Sequence, residues 1–134
     1  MDLLAQILIN GVLLGGLYAV MALGLALVWG VLNIVNLAHG AFIMLGGYLS
    51  WHLYTYLGID PFIGLPVTAV VMFGVGYAMQ RGVLNLIVRA PMFNTLLITF
   101  GLEVVLTYLA QLAFSADFRT INPSYARSSI ALGP

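Results

Sequence analysis

Between Leu3 and Ile59 the chain carries not one Asp, Glu, Lys or Arg. No single buried helix of a soluble domain is that long, because as one helix the run would extend ~85 Å against a hydrocarbon core of ~30 Å. The chain must therefore cross a membrane, turn and cross again. Composition agrees: of 134 residues 63% are hydrophobic and 6% charged, against roughly 25% charged residues in soluble domains. Four arginines, four acids and no lysine cannot build a water-facing surface.

A formal net charge of zero leaves no basic patch to hold phosphates, so nucleic acid is not an expected partner. With no cysteine, disulfides and thiolate metal sites are excluded. A cleaved signal peptide fits the N-terminus poorly, since the basic leading residues are missing and the apolar stretch is too long.

The expected fold is all-α, with about four transmembrane helices and a polar C-terminal loop. Helices are preferred because the apolar segments exceed the ~9–11 residues of a barrel strand and show no alternation. Span one covers about 3–32 and ends in a polar break, Gly30, Asn33, Asn36, His39 and Gly40. Span two covers about 37–57 and closes with Tyr48, Trp51, His52, Tyr54 and Tyr56, aromatics suited to a membrane–water boundary. Gly58-Ile59-Asp60-Pro61 reads as a tight turn. Span three covers about 62–80. A short amphipathic link, Gly82 to Val88, lies between Arg81 and Arg89, and Pro91 marks the start of span four, about 92–115. Residues 116–134 are polar, with Asp117, Arg119, Asn122, Pro123, Arg127, Ser128 and Ser129, and read as an irregular loop outside the bilayer. Two arginines fall on each side, so the excess of positive charge that usually marks the inner face gives a tie.

Span one carries small residues in rows of four, Gly11, Gly15 and Ala19, then Ala22, Ala26 and Gly30. Such ridges let a neighbouring backbone approach, first within the chain and alternatively by self-association. In span four Thr95, Thr99, Glu103, Thr107 and Gln111 recur at every fourth position, a polar stripe that drifts by ~40° per step. Glu103 lies ~15 Å into that span, where a carboxylate is costly and is expected to face the protein interior or a watered cavity. Two readings stay open: a polar wall of a translocation path, or a neutral Glu that fixes helix packing. Asn36 is placed to cap span two, and His39 sits in its first turn as a structural residue or, alternatively, a ligand or proton relay. No metal site, nucleophile–base pair or ATP-binding signature is evident, so neither an enzyme nor a cofactor is expected.

The stretch Gly15 to Trp51, with Gly16-Leu-Tyr-Ala19, Ala22-Leu-Gly-Leu25, Asn36-Leu-Ala-His39-Gly40 and Met44-Leu-Gly-Gly-Tyr48, resembles the N-terminal region of the LivH-type permeases. These are membrane subunits of branched-chain amino acid ABC importers. Arg89-Ala-Pro91 followed by Leu97-Ile-Thr-Phe-Gly-Leu102 is similar to that family's junction of third and fourth helices. The resemblance covers most of residues 5–115. It implies a cytoplasmic Arg81/Arg89 link, external termini, a multi-pass protein of a bacterial or archaeal cytoplasmic membrane, and a second LivM-like permease as partner. It also implies two cytosolic ATPases, an external substrate-binding protein, and leucine, isoleucine or valine as cargo, with urea, amides and other amino acids handled by related permeases.

Two departures qualify this. Members of the family are about twice as long, so the chain reads as an N-terminal half that should not transport alone. Glu103 stands where a small or neutral residue is expected, and no family role is carried onto it. The readings from other classes are a non-transporting membrane scaffold or assembly protein, and a small oligomeric channel lined by Glu103.

Overall fold

The computed structural model describes residues 2–115, 117, 119–123 and 125, the side chain of Asp2 excepted. The order is α1 (Asp2–Leu32), α2 (His39–Leu57), α3 (Pro61–Met79), a π-helical turn (Gln80–Leu84), a short α4 (Asn85–Ile87) and α5 (Met92–Phe114). Three stretches are long and apolar enough to cross a membrane: Leu3–Leu32, Pro61–Ile87 and Met92–Phe114. The fourth helix, α2, has 19 residues, and the polar and aromatic groups of its second half lower its hydropathy. The chain is an all-α, multi-pass membrane protein.

Local chemistry sets the ends of these helices. Asn33 takes φ 53° and donates its N–H to the Trp29 carbonyl at 2.8 Å, a left-handed stop for α1. Gly58, at φ 65°, ends α2. Its N–H reaches the Tyr54 carbonyl and that of Ile59 the Leu53 carbonyl, both at 3.2 Å. The Asp60 carboxylate then accepts the Phe62 N–H at 2.9 Å, with Pro61 at the first helical position of α3.

Two boundaries differ from the sequence expectation. Span two begins at His39 rather than Leu37, because Leu37 and Ala38 form a turn closed by the Asn36 side chain on the Ala38 N–H at 3.1 Å. The link expected from Gly82 to Val88 is instead helical through Ile87. Nothing in it breaks a helix, the Gln80 amide donates to the Asn85 side-chain oxygen at 3.0 Å, and Leu84 and Ile87 are buried. The widened turn at Gln80–Leu84 absorbs the mismatch between α3 and this buried end.

The core centres on α2. Ala38 and Ala41 meet Leu106 of α5, with Phe42, Leu45, Met79 and Leu102 packed around them. Ser50 and Thr68 share a 3.2 Å hydrogen bond between α2 and α3, and Tyr48 stacks on Phe114 with ring centroids 4.9 Å apart. Residues 117 and 119–123 form no regular structure. They lie across the end of the bundle that carries the α2–α3 turn: Tyr54 donates to the Asn122 carbonyl at 3.0 Å, and Tyr125 to the Asp60 carboxylate at 3.3 Å. Arg127, Ser128 and Ser129 fall outside the described residues.

The Gly/Ala rows of α1 do not pack against the rest of this chain. Ala19, Ala22 and Ala26 are exposed, and a Cβ built at Gly11, Gly15 or Gly30 would meet nothing within 4 Å. A membrane helix gains little by hiding apolar side chains from lipid. With no polar group along these rows to draw a neighbour, the contact falls one residue to the side, on Gly24.

Candidate functional site

The site grows from the break between α1 and α2. The His39 ring nitrogen Nε2 lies 3.0 Å from the Met21 carbonyl, and the place of a Cβ on Gly24 is 3.1 Å from His39 Cε1. A carbonyl only accepts, so Nε2 donates in this contact. Met21 lies ~16 Å of helix before Leu32. The connector 33–38 therefore doubles back along the last turns of α1, and α2 begins beside the middle of that helix. The start of α2 thus lies alongside α1 rather than beyond its end.

Non-helical backbone that packs against a membrane helix needs its polar groups satisfied. Ile34, Asn36 and Ala38 are at most 6% exposed. Asn36 Oδ1 takes the Ala38 N–H at 3.1 Å, and the Asn36 carbonyl takes that of His39 at 3.2 Å. Thr99, fully buried on α5, donates to the Val35 carbonyl at 3.2 Å. Its neighbour one turn earlier, Thr95, is buried and turns its hydroxyl onto the Met92 carbonyl at 2.7 Å. Two polar contacts thus tie the elements together: His39 joins the start of α2 to the Met21 carbonyl of α1, and Thr99 joins α5 to the Val35 carbonyl of the connector.

A cavity of about 360 Å³ opens beside these contacts, edged by Asn36, His39, Phe42, Met72 and Gln80 among others. It lies at the first turn of α2 and the π-helical turn, toward the end of the bundle with Arg81. Its walls are apolar with three polar groups, Asn36, His39 and Gln80. That is the makeup of a binding cleft rather than a reaction centre.

The candidate residues divide by position. Asn36, His39, Thr95 and Thr99 come together at the connector. Gly40 is exposed with open space at its Cα. The stripe on α5 leaves the interior as it climbs: Glu103 and Thr107 are half-buried and Gln111 is exposed. Thr107 donates to Glu103 Oε1 at 3.3 Å. The buried row is Thr95, Thr99, Leu106 and Ala110, a spacing near the true helical repeat. The four-residue stripe drifts off it by ~40° per step. Gly11, Gly15, Ala19, Ala22, Ala26 and Gly30 are exposed and take no part in these hydrogen bonds.

Sequence reasoning missed Gly24 as the seat of the His39 ring, and Gln80 as a cavity wall. Gly24 stands outside the four-spaced rows, and its pairing with a residue fifteen positions on depends on the chain reversal at Asn33. No linear spacing carries that signal.

Near the other end of α2, His52 is enclosed by Trp51, Tyr56 and Phe114, with centroid distances of 5.8, 4.4 and 5.6 Å. Its Nδ1 is buried without a hydrogen-bond partner among the described residues. Arg119 lies over the Trp51 ring at 4.4 Å and donates to the Phe114 carbonyl at 2.7 Å.

Comparison with known proteins gives one family. A family model described as the permease component of branched-chain amino acid transport systems matches residues 7–131. The permease protein BraD of Pseudomonas aeruginosa, named for high-affinity branched-chain amino acid transport, is 30% identical over 84 residues, 57% of this chain and 27% of its own length. LivH of Escherichia coli K12, named likewise, is 41% identical over 58 residues, 41% of this chain and 19% of its own. A probable LivH permease of Methanocaldococcus jannaschii is 31% identical over 102 residues, 75% of this chain and 32% of its own. The chain thus spans about a third or less of the relatives it matches. No solved structure matches it.

Proposed function

The chain belongs to the family of permease components of branched-chain amino acid transport systems, and from that premise we propose that it forms the N-terminal part of a membrane subunit of an ATP-driven importer for branched-chain or related amino acids. The carrying observation is the family match over residues 7–131. The geometry gives the match a physical counterpart. A buried non-helical connector between membrane helices, beside a cavity with a few polar groups, supports a path for a small polar solute.

In this reading the subunit pairs with a second, LivM-like permease. Two cytosolic ATPases supply energy, and an external binding protein delivers the cargo. Hydrolysis takes place on those other subunits. The setting is a bacterial or archaeal cytoplasmic membrane, in keeping with the organisms of the relatives. The Arg81/Arg89 end faces the cytoplasm, and the end with the α2–α3 turn, residues 117 and 119–123 and Tyr125 faces outward. The 360 Å³ cavity at Asn36, His39 and Gln80 then belongs to the cytoplasmic half of the path.

The test is uptake of labelled leucine by proteoliposomes holding the full-length permease with its partner subunits. ATP-dependent uptake that disappears when this subunit is omitted is expected. Uptake that persists without it would overturn the reading. His39→Ala is expected to lower the uptake rate by about tenfold or more, since it removes one hydrogen bond and opens a void against Gly24.

A further inference from the structure

A second cavity, of about 510 Å³, lies between residues 117 and 119–121 on one side and the outer half of α2 on the other. Its floor is Met44, Gly47, Tyr48 and Trp51, and its rim carries Asp117 and Arg119. Of the four acids and four arginines in the chain, one of each thus borders a single apolar cavity. We propose that this cavity is a capture site for a zwitterionic α-amino acid with an aliphatic side chain, the Arg119 guanidinium taking the carboxylate and the Asp117 carboxylate the ammonium. The proposal rests on the reading of the chain as an amino acid permease and narrows it to one entry site.

Three observations carry it. Arg119 is held in place: its Nη2 is fixed on the Phe114 carbonyl at 2.7 Å and its plane covers Trp51 at 4.4 Å. A guanidinium has five N–H donors, so that single bond leaves donors for a bidentate carboxylate, and the stacked ring restricts the geometry. Next, opposite charges two residues apart on the rim match a ligand that is neutral overall but bears both charges on groups attached to one carbon. A cation or an anion alone would leave one rim group uncompensated. Last, the floor offers a thioether, two aromatic faces and the open surface of Gly47, whose Cβ would meet nothing within 4 Å. That surface accepts an aliphatic side chain and disfavours a charged one. The volume lies in the range of small-molecule sites, roughly 300–1,000 Å³. The cavity sits at the end of the bundle away from Arg81, the end that faces incoming substrate in the orientation above.

The test uses the assembled full-length transporter in nanodiscs, without ATP or binding protein. The ligands are L-leucine, leucinamide, which lacks the carboxylate, and 4-methylpentanoate, which lacks the ammonium. Equilibrium binding is measured for wild type, Arg119→Gln, Asp117→Asn and Gly47→Leu. Leucine is expected to bind wild type more tightly than either analogue, by on the order of tenfold to a hundredfold. Arg119→Gln is expected to abolish the preference of leucine over leucinamide alone, and Asp117→Asn its preference over 4-methylpentanoate alone. Gly47→Leu fills the floor without touching the rim contacts. It is expected to weaken leucine binding by at least tenfold while the complex still elutes as one assembly. No leucine binding to wild type, or variants that leave affinity and analogue preference unchanged, would overturn the capture site. Uptake measured in parallel separates the two readings: unchanged variants in a leucine-transporting complex sink the capture site alone. A complex that transports no leucine sinks the transport reading, while the binding data still decide the site.

Discussion

At Thr99 one hydroxyl stands between two demands. It is fully buried, with oxygens of Val35 and Leu96 each at 3.2 Å. The Leu96 carbonyl belongs to its own helix, whereas the Val35 carbonyl is in the connector, where no helical N–H can serve it. Thr99→Val keeps the shape and removes the donor, so it leaves a buried carbonyl unpaired at a cost of about 1–3 kcal/mol. A lower melting temperature of the detergent-solubilised permease is expected, with most of the loss recovered in Thr99→Ser. Equal melting of Thr99→Val and wild type would mean that the connector finds another donor. Gly24 poses the complementary steric question. A Cβ there falls 3.1 Å from His39 Cε1, closer than packed carbons tolerate. Gly24→Ala is expected to shift the ring by a few tenths of an ångström and to be nearly silent. Gly24→Leu should push the ring off the Met21 carbonyl and lower leucine uptake at least tenfold, although leucine is the better helix former. Uptake of the assembled transporter separates these outcomes.

At the scale of the element, α5 shows why a polar pattern read along a sequence need not be a polar face. Thr95, Thr99, Glu103, Thr107 and Gln111 share a spacing of four, and over the whole stripe the drift amounts to ~160°. The structure uses its first two members at the buried connector, leaves the middle pair half-buried with Thr107 bonded to Glu103, and turns Gln111 outward. Substitution to an apolar residue should therefore cost less along the stripe: Thr95→Val and Thr99→Val lower thermal stability, while Gln111→Leu leaves it unchanged or raises it. Glu103→Gln keeps an acceptor for the Thr107 hydroxyl and is expected to change uptake less than twofold. A larger loss would return the carboxylate to the translocation path. The same contrast explains what was legible in the sequence. Helix number, the turn at Gly58–Pro61 and the start at Pro91 follow from apolar length and from local backbone chemistry at Gly and Pro. The polar break at Asn33–Gly40 was visible as well, because Asn and His interrupt an apolar run. Its placement alongside α1 was not, since that depends on the reversal at Asn33 and on His39 reaching back to Met21. The helical continuation through Ile87 escaped for a related reason: burial of Leu84 and Ile87 against other elements holds it, not local propensity.

For the whole molecule, the balance of charge gives no orientation, yet the fold fixes which segments share an end. Tyr54 and Asp60 bind Asn122 and Tyr125, so the α2–α3 turn, residues 119–123 and Tyr125 are on one side, and the two long stretches Pro61–Ile87 and Met92–Phe114 carry the 80–91 region to the other. Residues 1–134 hold no cysteine, so single-cysteine labelling is clean once any cysteine elsewhere in the full-length permease is replaced. Leu57→Cys and Thr120→Cys are both at exposed positions, and Gly82→Cys points into open space. In intact cells producing the full-length permease, a membrane-impermeant maleimide is expected to label Leu57→Cys and Thr120→Cys directly, and Gly82→Cys only after permeabilisation. The reverse pattern would invert the orientation and move the Asp117/Arg119 cavity to the cytoplasmic side, away from delivered substrate. Labelling of Leu57→Cys and Thr120→Cys from opposite sides would contradict the fold itself. The chain's surface makes the same experiment informative for α1. Its Gly/Ala rows are uncovered, and lipid alone gives small residues no advantage over larger ones. A Gly15→Cys variant that resists a membrane-permeant maleimide in the assembled transporter, but reacts once the complex is dissociated in detergent, would place protein rather than lipid against that ridge.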